Sequence, residues 1–195
     1  MVTIVNLTDI IKVKKVISAE EALKIVSNRM VITRLAKDGK IQHLGGGYYA
    51  DISLNDFVAG LMVVAKYYRK GVVSGVSALR IQELGDDQIY KIDIDIPNTT
   101  SIKNSILNVH RIAKKYLIDY EILDYMGAKI KVYDPTRCLY EAYKLSGYGH
   151  EFFKAIKRYH RKYKDNINYK KLEKLDRIFG VQILKCLVQE GADEF

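Results

Sequence analysis

The sequence contains only two cysteines and two prolines, and no tryptophan, among 195 residues. So few cysteines exclude a small disulfide scaffold. A hydrophobic share of 48% excludes disorder, since a chain of this length buries roughly two-thirds of its unfolded surface. The longest uncharged apolar run, residues 57–65, is about half of the roughly 20 residues that a membrane span requires. Because no signal peptide is recognisable either, we expect a cytoplasmic protein of one or two domains.

Residues that build metal and nucleophile sites are also sparse. Cys138 and Cys186 stand alone, and the four histidines form no pair at helical spacing, so we expect neither a metal nor a cofactor. The triple glycine at 45–47 lacks the Lys and Ser or Thr of a phosphate-binding loop. Ser77 and His110 could be imagined as nucleophile and base, but no G-x-S-x-G elbow surrounds any serine. The sequence therefore predicts a protein that is not an enzyme.

A strand predicted over residues 90–96 leaves one enzymatic alternative open. Asp93 and Asp95 are two residues apart, which places them on one face of that strand, where paired carboxylates could hold a divalent ion. Lys91 shares that face, and a third carboxylate is missing, so the pattern favours an ordinary solvated surface. A metal-dependent nucleic-acid enzyme is thus the less favoured alternative.

Positive charge is concentrated at the two ends of the chain, whose formal net charge is +9. Residues 1–50 carry 8 basic and 4 acidic side chains, residues 51–136 carry 11 of each, and residues 137–195 carry 13 and 8. This distribution is expected if two separate surfaces meet a polyanion.

Near the amino terminus, the pattern predicts three helices followed by a hairpin. A helix over residues 8–15 precedes the capping box of Ser18 and Glu21, which begins a helix that ends near Val26. Ser27 can cap the next helix, residues 28–37, which Asp38 and Gly39 end. The extended pattern of residues 40–50, broken by three glycines, indicates two strands.

The helix over residues 28–37 has one apolar face and one basic, hydroxylic face. A helix pair, this helix and a hairpin are typical of a winged helix-turn-helix, whose last helix enters the major groove of DNA. We therefore predict a DNA-binding domain over residues 1–52 that contacts base edges and phosphates. Its predicted DNA-binding residues are Arg29, Thr33, Arg34, Lys37, Lys40, Gln42 and His43.

Residues 53–195 are predicted to form a mixed α/β, mainly helical effector domain, which makes the whole chain α+β. Helices are predicted over residues 57–69, 74–85, 136–145, 151–164, 169–179 and 181–189. Strands are predicted over residues 90–96, 106–112, 120–125 and 128–133.

The helix predicted over residues 151–164 provides a possible second basic surface. Its polar face carries Lys154, Lys157, Arg158, Arg161 and Lys162. Such a row could bind phosphate, bind an acidic protein or simply keep an amphipathic helix soluble. An RNA-binding module that works through this helix is therefore the alternative to DNA binding.

Three segments together resemble a known family. They are RLAKDGKIQHLGGGYYA at 34–50, GVVSGVSALRIQEL at 71–84 and KIKVYDPTRCLYEAYK at 129–144. Their order and spacing are similar to those of the AbiEi antitoxins of AbiE-type abortive-infection systems, which are type IV toxin–antitoxin modules. The chain departs from the family at Gly46, where members often carry Arg, and at Gln82 and Glu83, where they carry His-Gly.

The resemblance implies a protein with two roles and without an active site of its own. A winged-helix domain would repress the protein's own operon by binding inverted repeats in the promoter. The carboxy-terminal domain would counteract a nucleotidyltransferase-like toxin without forming a stable complex with it. The catalytic aspartates of such a pair would belong to the toxin.

Overall fold

The computed structural model describes residues 3–100, 102 and 104–192, and it confirms an α+β fold. The first part of the chain contains α1 (Thr3–Lys14), β1 (Val16–Ser18), α2 (Ala19–Val26), α3 (Arg29–Lys37), β2 (Gln42–Gly45) and β3 (Tyr48–Ala50). The middle contains α4 (Asp56–Tyr67), β4 (Val72–Val73), α5 (Gly75–Ile81), β5 (Ile92–Pro97), β6 (Leu107–Ile112), β7 (Tyr120–Tyr125) and β8 (Ala128–Tyr133). The last part contains α6 (Pro135–Ser146), α7 (His150–Tyr163), α8 (Tyr169–Phe179) and α9 (Ile183–Ala192).

The predicted capping box begins α2. The backbone N–H of Glu21 donates to Ser18 Oγ at 3.1 Å, and the backbone N–H of Ser18 donates to Glu21 Oε2 at 3.0 Å. The prediction that Ser27 caps the next helix is wrong, because Ser27 ends α2 in the left-handed conformation at φ 54°. Asn28 caps α3 instead, accepting from the N–H of Met30 at 2.8 Å. Ser27 and Asn28 are thus the whole connection between α2 and α3.

The hairpin predicted over residues 40–50 is present, and it belongs to a three-stranded antiparallel sheet in the order β1-β3-β2. Sequence analysis missed β1, whose Val16 pairs with Ala50. A strand of three residues is too short to show the alternation that identifies a strand. The three helices and this sheet enclose one apolar cluster, in which Leu7, Ile17, Ile32 and Leu35 are buried.

A second sheet has the order β6-β5-β4-β8-β7, in which β5 is an inner strand. The prediction that one face of this strand is solvated is wrong. Gly60 of α4 packs against Ile92 on one face, and Ser77 of α5 contacts Asp93 on the other. Helices therefore cover both faces, which leaves Asp93 9% exposed and Asp95 fully buried.

Helices α6 to α9 pack against one another and extend the core of the second sheet. The apolar face predicted for α7 is confirmed, since Phe152, Ile156 and Tyr159 are buried and Tyr163 is partly buried. Within the part of the chain that the structure describes, no helix combines the length and the apolar character needed to cross a membrane.

Helix α4 joins the first sheet and its helices to the rest of the molecule. Its Ala59 and Val63 share an apolar cluster with Val16 and Ala50. At its end, Lys66 lies 3.1 Å from Glu21 Oε2, and the Tyr67 hydroxyl donates to the same oxygen.

Glu21 is held in its charged form at this junction. Burial raises the pKa of Glu21, but hydrogen bonds from Tyr67, the Ser18 N–H and Lys66 outweigh burial and lower that pKa to about 2. The carboxylate that caps α2 is thus also tied to α4, so the position of α2 and the position of α4 depend on each other.

Candidate nucleic-acid interface

The outer face of α3 presents the predicted row of basic and hydroxylic side chains. Ile32 and Leu35 point into the core, while Arg29, Thr33, Arg34 and Lys37 are exposed. Spacings of three and four residues place these four side chains along one side of the helix. Met30 lies beside the row with 79% of its surface exposed, which adds an apolar contact to a polar face.

The charges of this row are largely available to a partner. Within the described residues, Arg29, Lys37 and Lys40 form no ion pair, and Arg34 Nε lies 3.8 Å from Asp38 in a pair that is open to solvent. Such exposed pairs contribute only about 0–1 kcal/mol and exchange easily for phosphate. The Thr33 hydroxyl donates to the carbonyl of Arg29 at 3.1 Å, and its oxygen can still accept a hydrogen bond.

The hairpin residues predicted to bind DNA do not all lie on this surface. Lys40 is exposed directly after α3, and exposed His43 stacks on Tyr49 with the ring centroids 5.1 Å apart. The Gln42 amide instead donates to Asp56 Oδ1 at the start of α4. The structure thus places Lys40 directly after the α3 row, whereas Gln42 contacts Asp56 and His43 lines a pocket with Asp56 and Phe57 of the second part of the chain.

The glycine turn of the hairpin packs against the body of the protein. Asn104 Nδ2 lies 3.4 Å from the carbonyl oxygen of Gly46 and donates to the Tyr68 hydroxyl at 2.9 Å. A Cβ atom at Gly46 would lie 2.2 Å from Asn104 Oδ1, and one at Gly45 would lie 3.1 Å from Ser105 Oγ. A side chain at position 46 would therefore require the Asn104 side chain to move, and Gly46 gives the tip no projecting arginine.

We expect Gly46→Ala to destabilise the protein by about 2–4 kcal/mol, whereas Gly39→Ala costs about 1–2 kcal/mol. Both glycines have positive φ, at 57° and 67°, so both substitutions introduce the same backbone strain. Nothing lies within 4 Å of a Cβ at Gly39, so the difference isolates the contact with Asn104. Urea denaturation followed by circular dichroism measures both values. Equal losses would show that the Asn104 side chain moves aside at little cost.

The possible second basic surface, on α7, is largely neutralised by the protein itself. Lys154 and Arg158 both pair with Asp86, the Arg158 contact being 2.8 Å. Lys162 pairs with Glu83, and Lys157 Nζ lies 3.9 Å from Glu190. Two exposed acidic residues before β5 therefore pair with three of the five predicted cations, so a polyanion at this surface meets negative charges beside the positive ones.

Asp93 and Asp95, the alternative metal site, are buried and bound by different donors. Asp93 accepts from Asn108 Nδ2 at 2.7 Å, and Asp95 Oδ2 accepts from the Tyr133 hydroxyl at 2.8 Å. Within the described ranges, one group of carboxylates is close enough to share an ion, and it does not include them. That group is Asp86, Asp87 and Glu151, where Lys154 already pairs with Asp86 and Glu151.

Among the described residues, Ser77 and His110 are not hydrogen-bonded to each other. Each contacts Asp93: Ser77 Oγ accepts from the Asp93 N–H at 2.9 Å, and His110 Nε2 lies 3.4 Å from Asp93 Oδ1. The hydrogen bond to Asp93 raises the pKa of His110 above its ordinary value. Cys138 is buried, and burial raises the pKa of its thiol, as expected of a packing residue.

Sequence analysis missed a buried ionic layer between β5 and α6. Arg137 and Glu141 are 3% and 1% exposed, and Arg137 Nη1 lies 2.8 Å from Glu141 Oε1. Lys144 Nζ lies 3.7 Å from Glu141 Oε2 and 3.8 Å from Asp95 Oδ1. The spacing of Arg137, Glu141 and Lys144 along one helix was visible in the sequence, but the same spacing is typical of solvated helix faces.

Comparison with known proteins gives a likeness of fold. No protein-family model matches the chain, and no curated protein matches it. Among solved structures, the Rv2827c protein from Mycobacterium tuberculosis is similar to it, with a TM-score of 0.66 and 15% sequence identity. The similarity covers 96% of this chain and 75% of that protein. At this identity it shows that the two chains share a fold.

Proposed function

We propose that this protein is a DNA-binding autorepressor and the antitoxin of a type IV toxin–antitoxin system of the AbiE type. The observation that carries the DNA-binding half is the exposed row of α3, in which Arg29 and Lys37 have no acidic partner among the described residues. The support for the antitoxin half is the sequence resemblance over residues 34–50, 71–84 and 129–144.

The arrangement around α3 supports a winged helix-turn-helix. Helices α2 and α3 are joined by the two residues Ser27 and Asn28, and a hairpin follows α3 in the same small sheet. In such motifs the second helix of the pair lies in the major groove while flanking elements contact the phosphates. We assign Arg29, Thr33, Arg34 and Lys37 to the groove, and Lys40 and His43 to the adjacent backbone.

The alternative of RNA binding through α7 receives less support. Most cations of α7 lie beside Asp86, Glu83 or Glu190, so a polyanion bound there would also be repelled by these carboxylates. The α3 row has one such acidic neighbour among the described ion pairs, Asp38, which lies 3.8 Å from Arg34 Nε. The buried donors around Asp93 and Asp95 likewise disfavour a metal-dependent enzyme.

Fluorescence-anisotropy titration of the full chain against labelled duplex from upstream of its own gene tests the DNA-binding half. We expect binding that is stronger than to a scrambled duplex and weakens as the salt concentration rises. Equal and weak binding to both duplexes would contradict repression.

Co-expression with the product of a neighbouring nucleotidyltransferase gene tests the antitoxin half, and the full chain should restore growth.

A further inference from the structure

A cavity of about 190 Å³ lies beside the buried ionic layer, between the ends of β5 and β6 and the helices α6 and α8. Its polar lining comes from Asp95, Arg137 and Lys144, and its apolar lining from Ile112, Ile178 and two aromatic rings, Tyr116 and Phe179. Pockets for drug-sized ligands measure about 300–1,000 Å³, so this cavity suits a smaller molecule.

Two charged groups at this cavity have unused hydrogen-bonding atoms. Asp95 Oδ1 accepts no hydrogen bond from the described part of the chain, and Arg137 Nε donates none. Both side chains are more than nine-tenths buried. The cation nearest to Asp95 Oδ1 is Lys144 Nζ, whose distance of 3.8 Å is too long for a hydrogen bond. Leaving such groups unsatisfied costs about 1–3 kcal/mol each, and more when they are charged.

The mouth and the walls of the cavity have different characters. Lys144 is half-exposed, and its flexible side chain covers Asp95 and Glu141 from the solvent side, so a ligand reaches the fully buried Asp95 only when the Lys144 side chain moves aside. The rings of Tyr116 and Phe179 lie with their centroids 5.6 Å apart, and the Arg137 guanidinium is stacked 4.3 Å from the Phe179 ring. A ligand here meets an anion, two cations and an apolar wall within a small volume.

From this combination we infer that the cavity is a binding site for a free α-amino acid with an apolar or aromatic side chain. Its ammonium group would donate to Asp95 Oδ1, its carboxylate would accept from Arg137 Nε and Lys144, and its side chain would lie against Ile112, Ile178 and the aromatic rings. A zwitterion compensates charges of both signs at once, which an uncharged ligand does not. The inference does not depend on DNA binding or on antitoxin activity.

Isothermal titration calorimetry of the full chain with L-leucine, L-isoleucine and L-phenylalanine tests the site. We expect saturable binding of at least one of them. N-acetyl-leucine, which lacks the ammonium group, and leucine amide, which lacks the carboxylate, should bind at least about tenfold more weakly, because each loses a charge-assisted hydrogen bond. Glycine, which lacks the side chain, should also bind more weakly.

A pair of variants locates the binding. Asp95→Asn keeps the shape of the side chain and removes the charge that the ammonium group requires, so it should weaken amino-acid binding at least about tenfold. Asp124→Asn makes the same change on the exposed side of β7 and should leave the affinity unaltered. The inference is overturned if no amino acid binds at millimolar concentration, or if the blocked analogues bind as well as leucine. Since the analogue series uses the unmodified chain, it decides the question even if Asp95→Asn does not fold.

Discussion

Replacing Glu141 by Leu lowers the free energy of unfolding by about 3–5 kcal/mol, because it leaves the buried guanidinium of Arg137 without its anion. Arg137 Nη1 lies 2.8 Å from Glu141 Oε1, and both residues are almost completely buried. Glu141 Oε2 also accepts from the N–H of Gly75 at 2.9 Å, so the substitution removes the partner of a helix start as well. Urea denaturation gives the change directly.

A double-mutant cycle separates the ion pair from the loss of packing. Arg137→Met should also destabilise, since it leaves Glu141 buried with the Gly75 N–H as a donor and, among the described residues, Lys144 at 3.7 Å as its one remaining cation. The double variant Arg137→Met/Glu141→Leu should lose clearly less than the sum of the single losses, because no unpaired charge remains. Some destabilisation should remain in the double variant, because methionine only partly replaces the stacking of Arg137 on the rings of Tyr133 and Phe179.

Glu173→Leu is the matched control. Glu173 and Arg177 on α8 have the same spacing of four residues and lie 3.5 Å apart, but both are exposed. Breaking this surface pair should cost about 0–1 kcal/mol. If Glu141→Leu were no more harmful than Glu173→Leu, Arg137 would have to reach water or another anion, and the ionic layer as described would be wrong.

Local signals in the sequence predicted most of the fold, since they act over a few residues. The capping box at Ser18 and Glu21 predicted the start of α2, and the alternation of residues 120–125 and 128–133 predicted β7 and β8 with their turn. The two-residue strand β4 gave no such signal, although it holds β5 and β8 together.

The environment of Asp93 and Asp95 could not be predicted in this way. Alternation of Asp and Ile is typical of a strand with one wet face. Whether that face is exposed to solvent depends on which elements cover it. Here Ser77 and Tyr133, which are distant in sequence, donate hydrogen bonds to Asp93 and Asp95. The basic face of α3 was easier to predict, because an exposed row of side chains follows from the helical spacing alone and does not depend on residues distant in sequence.

Neutralising the α3 row should have the largest effect on DNA binding. The single variant Arg34→Ala should weaken binding to the upstream DNA by about 1–3 kcal/mol if the guanidinium contacts a base edge. Lys40→Ala should mainly reduce the salt slope, by the amount that about one phosphate contact contributes. The triple variant Arg29→Ala/Arg34→Ala/Lys37→Ala should weaken binding at least about 100-fold and reduce the salt slope by about two to three. Its stability should be nearly unchanged, because all three side chains are exposed.

The matched control is Lys157→Ala/Arg161→Ala/Lys162→Ala on α7, which removes the same three charges from the same formal net charge of +9. If bulk charge alone attracted DNA, the two triple variants would lose affinity equally. If α7 were the nucleic-acid surface, its variant would lose more. Because Glu190 and Glu83 lie beside Lys157 and Lys162 and would repel a phosphate backbone, we expect a loss of less than about threefold from the α7 variant. The contrast between the two variants thus tests the location of the charge independently of its amount.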